Sequence, residues 1–298
     1  MKVGDTASNY KKHKTQIRYT QGVIIMAMVI NTNIGSLNAT RQLDISSRDL
    51  AVSMERLTSG LRINSAADDA AGLAVATSMT TQIMGTDMAI RNTNDGISLA
   101  QTIDGASEEM TNMMQRQREL AIQSLNGTYS SANRIAMNAE FDALTLELGR
   151  IASTTKFNGV SVMNTAAQIE IHAGWEDTAA DSITVTAIAG TAIATAVGAV
   201  GVATSTNAAS AVTVLNGQLS VLSTARSGVG AVQNRLEYTV ANLQNVSENI
   251  NSSRSAIQDT DFAKESANLA RTQVLQQAGM SMLSQANQAS QNVMQLLQ

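Results

Sequence analysis

Leu215, Leu222, Val229, Leu236, Leu243, Ile250 and Ile257 stand seven residues apart without interruption. A seven-residue apolar row is the signature of one long helix with a seam along one side. Val232, Val240 and Val246 widen the stripe, and Arg235, Glu237, Glu248 and Arg254 mark an outward face. Over about 45 residues at the helical rise, the row makes a rod about 65 Å long. Helices gain most of their stability by packing an apolar stripe on a partner, so such a rod requires other helices. Nothing obstructs them, because the 298 residues include no proline, the residue that breaks helix interiors.

The N-terminal half supplies the partners. Leu43, Leu50 and Leu57, with Met54 and Leu61, form one seam; Ala76, Ile83, Ile90 and Ile97, then Ile103, Met110 and Leu120, form a second. A third helix is predicted over residues 132–154, carrying Ile135, Phe141, Leu144, Leu148 and Ile151, with Asn126-Gly127 as the stop before it. Residues 261–297 are again helical, with Leu269, Leu283 and Leu297 on one row and Asp259 or Thr260 as N-cap. Helical seams at both ends of the chain predict that the first and last segments pair with each other.

The middle has a different texture. Asn158-Gly159 between Lys156-Phe157 and Val160-Ser161-Val162 predicts one small hairpin. Residues 182–225 carry no charge, and Ile183-Thr184-Val185-Thr186 alternates ahead of a Gly/Ala/Val/Thr-rich run at 187–203. That run reaches 17 residues, but Ala, Gly and Thr insert weakly into lipid, so surface strands or a loose loop are expected and no membrane span. The fold class is thus mainly α: long antiparallel rods from paired N- and C-terminal segments, a small β-hairpin region and a short variable insert.

Composition narrows the function. Hydrophobic residues make up 44%, enough for a packed core, while charged residues reach only 15%. Much of the polar surface is therefore uncharged, and such surface loses little when buried against copies of itself. Without cysteine there are no disulfides, thiolate nucleophiles or cysteine metal sites. His13 and His172 are the sole histidines, which leaves little for a histidine metal site, and a Ser-His-Asp arrangement would have to recruit one of them. Glu170-Ile171-His172, with Trp175, Glu176, Asp177 and Asp181, lacks the second histidine of a metallopeptidase, and H-E-x-x-H does not occur. No catalytic, metal or cofactor-binding residue is expected. The first 25 residues carry Lys2, Lys11, Lys12, Lys14 and Arg18 against Asp5, a net of +4 within a chain whose total is −4. Gly22-Val23-Ile24-Ile25 is too short for a signal-peptide core, and the basic stretch reads as a solvated or non-native appendage with no nucleic-acid partner.

Residues 57–74 read LTSGLRINSAADDAAGLA. With MAMVINTNIGSLNATRQL from Met26, RQRELAIQ over 116–123, KFNGVSVM over 156–163 and the tail from Asn249 through QANQASQNVMQLLQ, this wording resembles the bacterial flagellins. The likeness covers all but the middle and the extreme start. Its implications agree with the helical pattern: residues 1–26 stand outside as a non-native or mis-called extension, with Ala27 as the mature start. Residues 27–65 with 259–298 make an inner filament core, residues 66–164 with 208–258 an outer rod bearing the hairpin, and residues 165–207 a short surface-exposed insert. The implied role is a non-enzymatic, exported, extracellular subunit that polymerises into the flagellar filament for swimming.

Packing and polymerisation then fall on Leu50, Leu57, Leu61, Leu236, Leu243, Ile250, Ile257, Leu269, Leu283, Val293 and Leu297. Asp68 and Asp69 are adjacent acids opening a helix, which suits its positive end and not acid–base catalysis across a pocket. Gly60 suits a left-handed helix end, and Ala70-Ala71-Gly72 close packing. Arg116, Leu120 and Gln123 share a helix face; by resemblance they match, with Glu140, the surface bound by the animal flagellin-sensing Toll-like receptor. The resemblance also implies an export chaperone for the apolar row Val293, Leu296 and Leu297, the export apparatus, and cap and hook-junction proteins. The ending QNVMQLLQ departs from the family's commoner Pro before Gln-Asn and Arg at the last position, a departure that weighs against recognition by cytosolic immune sensors. Competing readings are a hook–filament junction protein, which departs from the Ser-Ala-Ala-Asp-Asp-Ala-Ala-Gly wording kept here, an enzyme carried on a filament, and a membrane-borne signalling coiled coil.

Overall fold

The computed structural model describes residues 32–176 and 178–296, with side chains as far as residue 288, Ala179 excepted. The expected extension at 1–26, Asp177 and Leu297 lie outside the described residues, as does the side chain of Val293. The described chain is mainly α and divides into two compact units, one of residues up to Ser59 with those from Asp261 onward, the other Gly60–Thr260.

In the larger unit, α2 (Ala70–Leu125) and α5 (Ser205–Gln258) run antiparallel. Polar ties fix their register: Arg254 reaches Thr80 at 3.4 Å, Arg226 donates to Asp104 at 2.8 Å and Arg118 to Asn216 at 2.7 Å. Leu215, Leu222, Val229 and Leu236 are buried with Leu99, Ile103, Met110, Met114 and Leu120 in one core, so the heptad row forms the seam its spacing predicts. α3 (Ser131–Thr154) adds Phe141 and Leu148 to that core. Gln117, also buried, donates to the carbonyl of Phe141 at 3.2 Å and to Thr145 Oγ1 at 2.8 Å.

From Gly60 onward, the family-like wording at 57–74 lies in this unit. Gly60, just past the last helical turn, has φ 72°, a left-handed conformation that glycine takes without Cβ strain. Residues 61–63 then lie along the end of α5. Leu61 pairs with Asp259, the Arg62 amide donates to the Gln258 carbonyl at 2.6 Å, and the Arg62 guanidinium donates to the Ile257 carbonyl. Asp68 Oδ2 accepts from the amides of Asn64 and Ser65 at 3.1 and 2.9 Å, and Asp69 Oδ1 accepts the Gly72 amide at 2.9 Å as N-cap of α2. A methyl on Gly72 would stand 2.5 Å from Asp69 Oδ2 and 2.6 Å from Ile63 Cδ1, so the glycine is what allows the cap to close. At the other end α2 stops at Leu125, as Asn126-Gly127 predicts, and Arg134 donates to the carbonyls of Ser124 and Asn126 at 3.0 and 3.1 Å.

Strands β1 (Lys156–Phe157) and β2 (Val160–Ser161) form the predicted hairpin. Asn158 and Gly159 both have positive φ, 45° and 83°, as a type I′ turn requires. A second hairpin was not anticipated: β3 (Gln168–His172) pairs antiparallel with β4 (Ser182–Thr186), from Gln168 opposite Thr186 to His172 opposite Ser182. After it in the chain, α4 (Gly190–Gly198) packs on α3 and α5 and buries Ile193, Ala194 and Val197. The expectation of an exposed insert over 165–207 is corrected here, because Ile183, Val185, Ile188 and Val202 are buried in the same core and Ala187 is buried as well. Small side chains let that run lie close against the rod, and its backbone is satisfied by strands, α4 and side chains of the rod. Among the described residues no helix is long and apolar enough to cross a membrane.

The smaller unit is the pair α1 (Ile34–Ser59) and α6 (Phe262–Leu296). Asn33 caps α1 by accepting the Ser36 amide at 3.0 Å and donates across the pair to the Ala286 carbonyl at 2.9 Å. Gly279 faces Leu43, so the helices are antiparallel. The N-cap of α6 is Asp261, which accepts from Ala263 and Lys264 at 2.9 and 3.2 Å, and not Asp259 or Thr260.

Candidate functional site

A two-helix pair cannot enclose an apolar core, and the terminal pair displays the consequence. Leu43, Leu50, Leu57, Leu269 and Leu283 line the facing rows but remain half-buried. The side chains that are well buried there are polar, namely Ser46 and Ser53 on α1 and Glu265 and Thr272 on α6. Outside the seam, Ile34, Leu37, Ile45, Val52 and Met54 on α1, with Phe262, Val274, Leu275, Met280 and Met282 on α6, are all exposed. That is two long helices' worth of apolar side chains open to water, far beyond what scattered surface apolar residues require. The packing residues named from sequence therefore fall into two groups. Leu236 and Leu243 are buried inside the rod, and Ile250, Ile257 and Leu61 are half-buried toward its end. Leu50, Leu57, Leu269 and Leu283 belong to the pair that is left partly uncovered.

The second sequence-derived site lies on α2 and α3. Arg116 donates to Glu140 Oε1 at 2.9 Å and to Glu119 Oε2 at 3.1 Å. Hydrogen bonds to Glu140, then to Glu119, raise its guanidinium above the ordinary arginine range. Gln123, two turns along, donates to the Tyr129 hydroxyl at 3.0 Å. Arg116, Gln123 and Glu140 thus share an exposed polar surface. Leu120 does not join them: it is 2% exposed and packs into the core, because the helix turns its apolar row inward at that position. The expectation of Leu120 as a surface contact is corrected accordingly. Glu119 and Tyr129 were missed; Glu119 sits three residues after Arg116, a spacing that itself announces an ion pair. Also missed was Arg226 held by Asp104 at 2.8 Å with Glu108 at 4.0 Å. Asp104 and Glu108 share one helix face, but their cation lies on another helix and becomes visible only once the register is known.

Residues 30–168 match the bacterial flagellin N-terminal helical region, and residues 212–297 the bacterial flagellin C-terminal helical region. Between these stretches lie β4, α4 and all of β3 but its first residue, Gln168. A flagellin of Halalkalibacterium halodurans is 44% identical over 91% of this chain and 100% of its own length. The flagellar filament 33 kDa core protein of Treponema phagedenis is 37% identical over 91% and 100%, and polar flagellin C of Vibrio parahaemolyticus 34% identical over 92% and 100%. The crystal structure of Bacillus cereus flagellin aligns with a TM-score of 0.47 at 30% identity, over 51% of this chain and 88% of that one. Both helical family regions, full-length relatives and the paired terminal helices lead to one assignment: the chain belongs to the bacterial flagellin family.

Proposed function

We infer that the chain is the structural subunit of an extracellular bacterial flagellar filament and acts by assembly, without catalysing a reaction or binding a cofactor. The observation that carries this reading is the terminal pair, whose apolar rows no part of its own compact unit covers. Further copies of the same helices would cover them, which makes residues 27–65 with 259–298 the inner core of a helical homopolymer. Residues 66–164 with 208–258 form the outer rod. Residues 165–207 are attached to that rod through a buried face and need not be a separate domain.

Before assembly the same rows need a cover, which suits an export chaperone, with passage through the export apparatus and growth beneath a cap, starting from hook-junction proteins. The exposed Arg116, Gln123 and Glu140 are the positions offered to a host Toll-like receptor, Leu120 shaping that surface from beneath. Deleting residues 261–298 tests the inner-core assignment. A soluble monomer with intact central helices is expected by circular dichroism, and filaments in electron micrographs of the truncated protein would refute it.

A further inference from the structure

We propose that Met54, Met280 and Met282 are oxidation sites on the free subunit, and that their conversion to sulfoxides blocks assembly. This rests on the reading that the terminal pair becomes buried in the filament. The methionines of the described chain span both extremes of exposure, with Met79 and Met113 in between. Met110, Met114, Met137 and Met163 are buried in the rod. Met54 on α1 and Met280 and Met282 on α6 are 51%, 53% and 59% exposed, on the two helices whose apolar rows lie open. Met282 stands seven residues after the exposed Leu275, on the same row. Met84 and Met88 are also exposed, but on α2, where the Met88 sulfur contacts the Arg91 guanidinium.

The chemistry needs a peroxide as oxidant. The thioether lone pair attacks one peroxide oxygen, the O–O bond breaks and an S=O bond forms. The sulfur is oxidised by two electrons, and the other peroxide oxygen leaves as hydroxide and becomes water by taking the proton of the transferred hydroxyl. The product turns a flexible apolar side chain into a polar, chiral acceptor. Burying that acceptor in an apolar contact without a donor is unfavourable. Free subunits are therefore oxidant-sensitive at these three thioethers, whereas subunits already in a filament have them covered. The state of oxidation of the unassembled pool then sets how much of it can be incorporated.

The test uses the full chain. Monomer and preformed filaments are exposed to hydrogen peroxide, quenched, mapped by peptide mass spectrometry and, for monomer, grown on untreated filament seeds. Oxidised monomer should elongate seeds at least about tenfold less, the order expected for a buried unpaired acceptor. Sulfoxide should accumulate at Met54, Met280 and Met282 in monomer and not in filaments, with Met110, Met114, Met137 and Met163 protected in both. Peroxide should leave the triple variant Met54→Leu, Met280→Leu, Met282→Leu elongating seeds at its own untreated rate, whatever that rate is. Equal oxidation of the three in monomer and filament overturns the proposal, as does loss of growth in the treated triple variant. Should that variant fail to grow untreated, the wild-type oxidation ratio decides alone. Failure of untreated wild-type protein to elongate seeds would instead sink the filament reading.

Discussion

Ser124 donates its hydroxyl to the backbone carbonyl of Val202 at 2.6 Å, and both residues are buried. The Val202 amide in turn donates to Asn138 Oδ1 at 2.7 Å. One residue of a run that reads as surface loop thus has both its backbone groups satisfied by α2 and α3. Ser124→Ala strands a buried carbonyl and should cost about 1–3 kcal/mol, read as a lower urea midpoint of the monomer. An unchanged midpoint would mean that the segment is not anchored there.

The division of apolar residues between rod and terminal pair predicts two distinct phenotypes. Leu243 is 9% exposed and Leu236 is fully buried, so Leu243→Asp or Leu236→Asp puts an unpaired charge in the rod and should cost several kcal/mol of monomer stability. Leu269 is half-buried on α6. Leu269→Asp should leave thermal unfolding of the rod unchanged and yet stop growth on filament seeds. Normal growth of the Leu269 variant would remove that residue from the assembly surface.

How much of this was legible depended on whether a residue's partner was close in sequence. The Leu215-to-Ile257 row and the Asn158-Gly159 turn were readable, since helical period and turn type are local properties. Asp69 as a cap was readable for the same reason. The burial of 187–203 was not: Ala, Gly and Thr look like surface in a single sequence, and only the nearness of α2, α3 and α5 makes their small size an advantage. Leu120 failed differently. A shared helix face with Arg116 and Gln123 predicts shared exposure, although a four-residue step leaves a net rotation of about 40°, enough to separate rim from core. The Arg226–Asp104 pair joins residues on two helices, and no spacing rule reaches across that gap.

The short connector before α2 can be probed at Asp69 and Gly72. Asp69→Ala removes the acceptor for the Gly72 amide and should cost about 1 kcal/mol. Gly72→Ala drives a methyl to within 2.5 Å of Asp69 Oδ2 and should cost about 1–3 kcal/mol through displaced neighbours. Because the two residues touch, the double variant should lose less than the sum. Strict additivity in a double-mutant cycle by chemical denaturation would show that the methyl and the cap do not compete.

Glu147 gives the clearest titration. Arg150 donates to its two oxygens at 2.8 and 2.5 Å, and this hydrogen bonding, against a smaller opposing desolvation and with some Coulombic help, holds the Glu147 carboxyl below the ordinary glutamate value. A depressed folded-state pKa makes the pair's contribution present above the unfolded glutamate value and lost as pH falls through the folded one. Both side chains are largely exposed, so solvent screening keeps the effect on stability small. The measurable consequence is the midpoint itself. Carboxyl-carbon NMR should place Glu147 below a glutamate in an unfolded peptide, and Arg150→Gln should move it back up toward that value with the helix intact. Identical midpoints in the two proteins would mean that the guanidinium does not hold the carboxylate in solution.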